Sequence, residues 1–320
     1  MVRFAAAIAV VLMLALVSLF IGVSDVTPMT LFEQGPEGQA LQILLISRIP
    51  RTVALVLSGV AMAVAGTIMQ MLARNRFVEP STAGTVESAS LGILVVTIFA
   101  PGMPLIGKML VASAFALAGT AVFLRILRQI PLRSVLMVPL AGLMLGGVIS
   151  SITTFFAYRY DLLQTLGAWT LGDFSGVLRG RYELLWLSAA LTGLAYVFAD
   201  RFTAAGLGED FSANLGLNYH RVMRLGISIV AMVTAVVVVT VGAIPFLGLV
   251  VPNLVSMAMG DNMRRSIPWV AAGGAGCVLA CDIIGRVIRF PYEIPIGTIF
   301  GVLGSAVFLY LLLSRRSRYG

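Results

Sequence analysis

The stretch Arg48-Ile-Pro-Arg51, followed by TVALVLSGVAMAVAGTIMQML over residues 52–72, decides the fold. An apolar run of about 20 residues can cross a bilayer as a helix. Two arginines stand at the mouth of this helix on an otherwise charge-poor face, and the proline between them stiffens the backbone. Because arginine grips carboxylates with two parallel hydrogen bonds, we interpret the stretch as a docking point for an acidic partner.

The composition places the chain among membrane proteins. Its 320 residues are 59% hydrophobic and only 11% charged, with a mean hydropathy of +1.00. A soluble domain carries roughly 25% charged residues. The net charge of +8 could indicate nucleic-acid binding in a soluble protein. Here the basic residues form short clusters between apolar runs, which favours membrane orientation by positive loops and not a nucleic-acid partner.

We predict an all-α polytopic membrane protein in which residues 1–320 form a single transmembrane domain. The apolar run Phe4 to Val23 is long for a signal peptide and no A-x-A site follows, so we interpret it as a retained first span. The eighth helix is short and contains Pro252. The predicted helices lie near 4–24, 52–72, 83–101, 106–126, 134–157, 183–200, 221–241, 245–259, 267–286 and 295–314.

The distribution of basic residues predicts the orientation. With the N-terminus inside, 14 of the 22 Lys and Arg residues lie on the cytoplasmic side, so both termini are expected inside. Arg48, Arg51 and Arg286 are then on the outer side. The longest cytoplasmic loop, 201–220, contains EDFSANLGL, which predicts a short helix ending near Gly216 with acids at its start. This helix would dock a soluble partner, unless the loop is a plain connector.

No catalytic or metal site is predicted. The stretch from Gly102 to Lys108 fits the spacing of a phosphate-binding loop, but Met109 stands where Ser or Thr must hold magnesium. His220 is the only histidine, and Cys277 and Cys281 are interpreted as small core residues. Two intramembrane acids are expected in structural ion pairs: Asp282 with Arg286 one turn later, and Glu87 with Arg74 or Arg76.

Several short motifs occur in order along nearly the whole chain. The matching positions form the R-x-P-R opening, a glycine-rich helix, a cytoplasmic turn, an A-x-x-L-G-like coupling segment and three motifs near the C-terminus. They are Arg48, Arg51, Gly59, Gly66, Gln70, Asn75, Glu79, Pro80, Ala213, Asn214, Leu215, Gly216, Gly242, Gly248, Pro252, Asn253, Asp282, Arg286, Glu293, Pro295 and Gly297.

With these motifs the chain resembles the FecCD-type permeases of iron-siderophore and vitamin B12 importers, a type II ABC importer fold. Two positions depart from the family pattern: Arg76 replaces a proline and Asn253 replaces a histidine. The pieces ARNRFVEPSTAGT and VPNLVSMAMGDNMRR are similar to the branch for catecholate siderophores such as petrobactin, or mixed ones such as anguibactin and vibriobactin.

The resemblance implies ATP-driven import of a ferric siderophore by alternating access across the bacterial inner membrane. This chain would bind no cofactor, and ATP and Mg would belong to two partner ATPase subunits. These would dock on the coupling loop, at Glu209, Asp210, Ala213, Asn214, Leu215, Gly216 and Leu217. A second permease subunit is also implied, a heterodimer being favoured over a homodimer.

The resemblance further implies a periplasmic or lipid-anchored siderophore-binding protein, which would dock on Arg48, Arg51 and Arg286. Alternatives are an ion-coupled secondary carrier and an ABC permease for haem or vitamin B12.

Overall fold

The computed structural model describes residues 2–24, 26–35, 38–129 and 137–316, and every regular element in these ranges is helical. The predicted all-α fold is thereby confirmed. In chain order the helices are α1 (Val2–Phe20), α2 (Pro28–Gln34), α3 (Gln39–Ile43), α4 (Ile49–Leu72), α5 (Thr85–Phe99), α6 (Leu105–Gln129), α7 (Met137–Arg159), α8 (Leu163–Thr170), α9 (Leu185–Val197), α10 (Ala199–Gly206), α11 (Glu209–Asn214), α12 (Tyr219–Val241), α13 (Leu247–Met259), α14 (Met263–Ile288) and α15 (Ile296–Arg316).

Each of the ten predicted apolar segments corresponds to a helix whose ends differ by a few residues from the prediction. The first residues of the fifth predicted segment, 134–136, lie outside the described residues. Within the described residues, six helices are long and apolar enough to cross a membrane: α1, the continuous run Gln39–Leu72, α6, α7, α12 and α14. The apolar parts of α5, α9, α13 and α15 are shorter. The eighth predicted segment is among these short helices, and it begins only after Pro245.

The predicted outer loop before Arg51 is more ordered than the sequence indicated. It contains α2, which begins with a capping box at Thr27 and a proline at its first turn. It also contains α3, which a π-helical turn at Leu44–Arg48 joins to α4. The predicted span 52–72 is therefore the inner part of a longer helix, and the R-x-P-R stretch lies within that helix and not at its mouth.

Helix α4 forms the centre of the bundle, where it packs against α14, α13, α12 and α9. In the continuous run Gln39–Leu72, which contains α4, 78% of the most apolar 18-residue stretch is buried. The corresponding stretch of α1 is only 6% buried. The sequence of α4 accounts for this position, because small residues recur along it and leave room for neighbouring backbones. Cys281 is buried in the same core and Cys277 is partly buried, as predicted for small core residues.

Two glycines of α4 mark the points where other helices come closest. A Cβ atom on Gly59 would lie 2.6 Å from the carbonyl oxygen of Gly274 in α14. A Cβ atom on Gly66 would overlap the carbonyl group of Gly248 in α13. Both obstacles are backbone atoms, which cannot turn away as a side chain can. The contacts α4–α14 and α4–α13 therefore require glycine.

Replacement of Gly66 tests this account. We expect Gly66→Ala to lower the free energy of unfolding in detergent by about 1–3 kcal/mol, the usual cost of overpacking. Gly193→Ala is the matched control, because Gly193 lies on α9 with open space around it. Equal stability of both variants, measured by denaturant titration, would contradict the close crossing.

Candidate functional site

A buried carboxylate joins α4 to α14 at the end of the bundle that is predicted to face outward. Asp282 of α14 accepts hydrogen bonds from Nη2 of Arg51 at 2.7 Å and from Nε of the same guanidinium at 3.1 Å. The remaining amino group of Arg51 pairs with Glu293 at 2.7 Å. One arginine therefore links α4, α14 and the segment that leads into α15.

The same carboxylate also pairs with Arg286 one helical turn later, as the sequence predicted. Arg286 reaches on to α1, where it donates to the hydroxyl of Ser18 at 2.5 Å and to the carbonyl oxygens of Ser18 and Ile21 at 3.0 and 2.7 Å. Arg48 also donates to the carbonyl of Ile21. The end of α1 is thus held by two arginines from other helices.

We call Arg48, Arg51, Asp282, Arg286 and Glu293 the charge cluster. Its three arginines are only 7%, 9% and 3% exposed, respectively. The expected exposed basic rim is therefore not what these side chains form. The physical reason is that an unpaired aspartate inside a membrane protein is costly, roughly 2.5–3.5 kcal/mol at mid-helix, so Arg51 and Arg286 turn inward to pair with it. Arg48 turns inward to bind the carbonyl of Ile21. Their role in docking stays a prediction.

Exposed arginines also lie near the charge cluster, in two places: in the segment before α9 and directly after α14. The backbone N–H of Arg179 donates to the carbonyl of Ile46 at 2.9 Å, which fixes this segment against the π-helical turn. Arg179, Arg181 and Arg289 are all exposed to solvent. In the sequence, the only signal for these three arginines is their predicted location on the outer side. Arg48, Arg51 and Arg286 share this predicted location.

At the opposite end, the predicted motif residues converge on the backbone of α13. Gln70 at the end of α4 donates to the carbonyl of Gly248 at 3.3 Å. Glu79 accepts a hydrogen bond from the backbone N–H of Phe246 at 2.8 Å, at the residue that caps α13. Burial raises the pKa of the Glu79 carboxyl to about 7, although hydrogen bonds from Ser81 and from the start of α13 oppose this.

The two positions that depart from the family pattern contact each other. Asn253 of α13 donates to the carbonyl of Arg76 at 2.7 Å and to the carbonyl of Leu249 at 2.8 Å. The side chain of Arg76 in turn pairs with Asp261 after α13. Asn75, before it, turns the chain by accepting from the N–H of Phe77 at 2.8 Å. The turn after α4 is therefore attached to both ends of α13.

The pairing predicted for Glu87 is wrong. Arg76 pairs with Asp261, and no ion pair within the described ranges involves Glu87. Arg74 is exposed, near Gly208. The sequence distance between these residues is short, but the turn directs both arginines away from the start of α5. Glu87 instead lines a cavity.

The remaining motif residues join α12 to α15. Gly242 ends α12 with a φ of 83° and lies against the carbonyl of Leu171, where a Cβ atom would overlap it. The N–H of Gly297 donates to Gly172 at 3.1 Å. Pro295 directly precedes α15 and its carbonyl begins that helix. Gly242 and Gly297 therefore hold the connection after α8 between α12 and α15.

The predicted coupling segment forms α11, and α10 holds it in place. Ser212 is buried and donates to the carbonyl of Ala204 in α10 at 3.2 Å, as well as to the carbonyl of Gly208 at 2.7 Å. Asp200 of α10 pairs with Arg264 at 2.6 Å, which ties this region to the start of α14. Phe211 and Leu215 are 46% and 57% exposed. Glu209, Asp210, Ala213, Asn214 and Gly216 are exposed as well, and Leu217 is partly buried.

Comparison with known proteins places this architecture in a family. The model of the FecCD transport family matches residues 9–314. The petrobactin import system permease protein YclN of Bacillus subtilis (strain 168) is 51% identical over 307 residues, 96% of each chain. The ferric-anguibactin transport system permease protein FatD of Vibrio anguillarum is 43% identical over 270 residues, 84% of this chain and 86% of that one.

A solved structure has the same fold. It is an inward-facing conformation of a transporter described as of the metal-chelate ABC type. The TM-score is 0.82 over 98% of this chain and 99% of that chain, at 22% sequence identity. This likeness supports the arrangement of helices described above.

The charge cluster generates a stability prediction. We expect Asp282→Asn to cost about 3–5 kcal/mol, because it leaves the buried Arg286 without its counter-charge and Arg51 with only the partly exposed Glu293. Glu293→Gln is the comparison, because Glu293 pairs with the same Arg51 but its side chain is 27% exposed, and its loss should cost no more than about 1 kcal/mol. Equal costs in a denaturant titration of the purified protein would contradict the central position of Asp282.

Proposed function

The chain belongs to the FecCD transport family, and from this membership we propose that it is the permease subunit that imports a ferric siderophore of the catecholate type. The family consists of ABC permease subunits, in which ATP hydrolysis lies in partner subunits. The substrate assignment rests on one observation, the 51% identity to a petrobactin import permease over 96% of this chain.

We propose that the importer contains two permeases, two ATPase subunits and a binding protein. The exposed apolar side chains of Phe211 in α11 and of Leu215 directly after it support the contact with an ATPase. Apolar groups exposed on a short helix at the end of the bundle are typical of a docking site. Because Ser212 anchors the same helix, a push on α11 would reach α10 and then α14 through Asp200 and Arg264.

We also propose that the binding protein docks on the side of the charge cluster, with a division of roles. Arg179, Arg181 and Arg289 would contact its acidic residues, since they are exposed. The buried Arg48, Arg51 and Arg286 would position this surface from inside the bundle, because they hold α1, α4 and α14 together. This arrangement requires an inner-membrane protein with both termini in the cytoplasm and a second permease, for which we favour a related chain over a second copy.

Transport and ATP hydrolysis test the proposed function. The complete importer should take up labelled ferric petrobactin in an ATP-dependent way, and neither haem nor cyanocobalamin should compete. We expect Leu215→Asp to abolish substrate-stimulated ATP hydrolysis while the chain still inserts, because a carboxylate would be buried unpaired in the docking contact. Leu105→Asp, at a 42% exposed leucine in the first turn of α6 on the predicted outer side, should have no effect. ATP-independent uptake driven by an ion gradient would refute the proposal.

Charge reversal tests the docking surface. Reversing Arg179, Arg181 and Arg289 to Glu should lower the association rate of the binding protein about tenfold at low salt and flatten its salt dependence. Reversal of Arg48, Arg51 and Arg286 should reduce thermal stability as well as association. Arg221→Glu, at an exposed position on the predicted cytoplasmic side, is the control. An unchanged association rate for the first triple variant would exclude this surface.

A further inference from the structure

A cavity of about 650 Å³ lies between α5, α7, α13 and α15. One part of its wall is aromatic. The ring of Phe308 meets the edge of Phe77 at a centroid distance of 5.7 Å and stacks on Phe246 at 6.3 Å. Such a wall suits flat or apolar parts of a ligand, because aromatic rings offer large contact areas at fixed geometry.

Another part of the wall, on α5, carries polar atoms that the protein leaves unmatched. Oε2 of Glu87 and Oγ of Ser90 are buried and have no hydrogen-bond partner. Ser90 is only 3% exposed. The two residues are one helical turn apart, so both side chains lie on the same side of α5. A buried polar group without a partner costs about 1–3 kcal/mol, so two such groups at one cavity indicate a ligand that binds there.

The helices around the Glu87 carboxyl leave space for it, and no residue in the part of the chain that the structure describes supplies a counter-charge. A Cβ atom on Gly146 of α7 would lie 3.2 Å from the carboxyl carbon, so α7 is shaped around this group. The second carboxyl in the wall belongs to Glu79, which is bound to Phe246 and Ser81. Every charged residue that lines the cavity is therefore acidic.

We propose that Glu87 and Ser90 form a subsite for a protonated amine of the transported chelate, with Glu79 adding negative potential from the same cavity. A carboxylate in an apolar wall favours a cation over an anion, and the attraction is stronger there than in water. Ser90 accepts a second hydrogen bond from the amine, and the aromatic wall contacts the rings of the chelate. This inference rests on the proposed import function and specifies which chelates pass.

Paired substrates give the sharpest test. Two ferric bis-catecholates share one backbone: in the first the backbone carries a free secondary amine, and in the second this amine is acetylated. Uptake of both is measured with the complete importer in liposomes. We expect Glu87→Gln to raise the KM for the amine-bearing chelate roughly tenfold, because the charge-assisted contact is lost while the size is kept. The KM for the acetylated chelate should not change.

Control variants separate this subsite from a structural role. Ser90→Ala should raise the KM for the amine-bearing chelate and leave the KM for the acetylated chelate unchanged. If the Glu87→Gln chain does not assemble into the importer, the Ser90→Ala variant provides the test instead. Glu33→Gln, at an exposed acid on α2, should change neither value. An equal loss for both chelates, or no change for either, would overturn the subsite. If the wild-type importer carries neither chelate, the siderophore assignment fails and the subsite with it.

Discussion

The position of one carboxylate, Asp282, determines how the centre of the bundle is assembled. It is buried in α14 and is compensated by Arg51 from α4 and Arg286 from its own helix. A buried ion pair of this kind adds little stability compared with an apolar core, but separating its members is costly. The pairing therefore mainly fixes how the helices are aligned. α4, α14 and the end of α1 fit together in the one arrangement that leaves none of these three charges unpaired.

The opposite end is held mainly by hydrogen bonds to backbone groups, and its ion pairs Arg76–Asp261 and Asp200–Arg264 are largely exposed. Gln70, Glu79 and Asn253 all bind backbone groups of α13 or of the turn after α4, and Gly66 allows the backbones to touch. Hydrogen bonds of this kind contribute about 1 kcal/mol each, and they can be exchanged for others at small cost. The two ends of the bundle therefore differ in how easily their contacts can be exchanged: the buried charge cluster resists separation, whereas the hydrogen bonds at the opposite end can be replaced.

The sequence predicted what depends on local periodicity. The apolar runs gave the ten main helices, and the spacing of Asp282 and Arg286 gave their pair, because both follow from helix geometry. It could not predict the pairing of Arg51 with Asp282, which are 231 residues apart, and so the arginines were expected at the surface. The pairing of Glu87 was wrong because a turn, whose direction no pattern encodes, leads Arg76 to Asp261. The motifs included Gln70, Glu79 and Asn253, but they did not indicate that these residues join α13 to α4 and to the turn after it.

The run Gln39–Leu72 is helical over 34 residues, which corresponds to about 50 Å of length. The hydrocarbon core of a bilayer is only about 30 Å thick. The run is therefore about 20 Å longer than the hydrocarbon core is thick. It is bound to α14 through Arg51 and to α13 through Gln70. One continuous helix thus connects the buried charge cluster with the backbone contacts at the opposite end of the bundle.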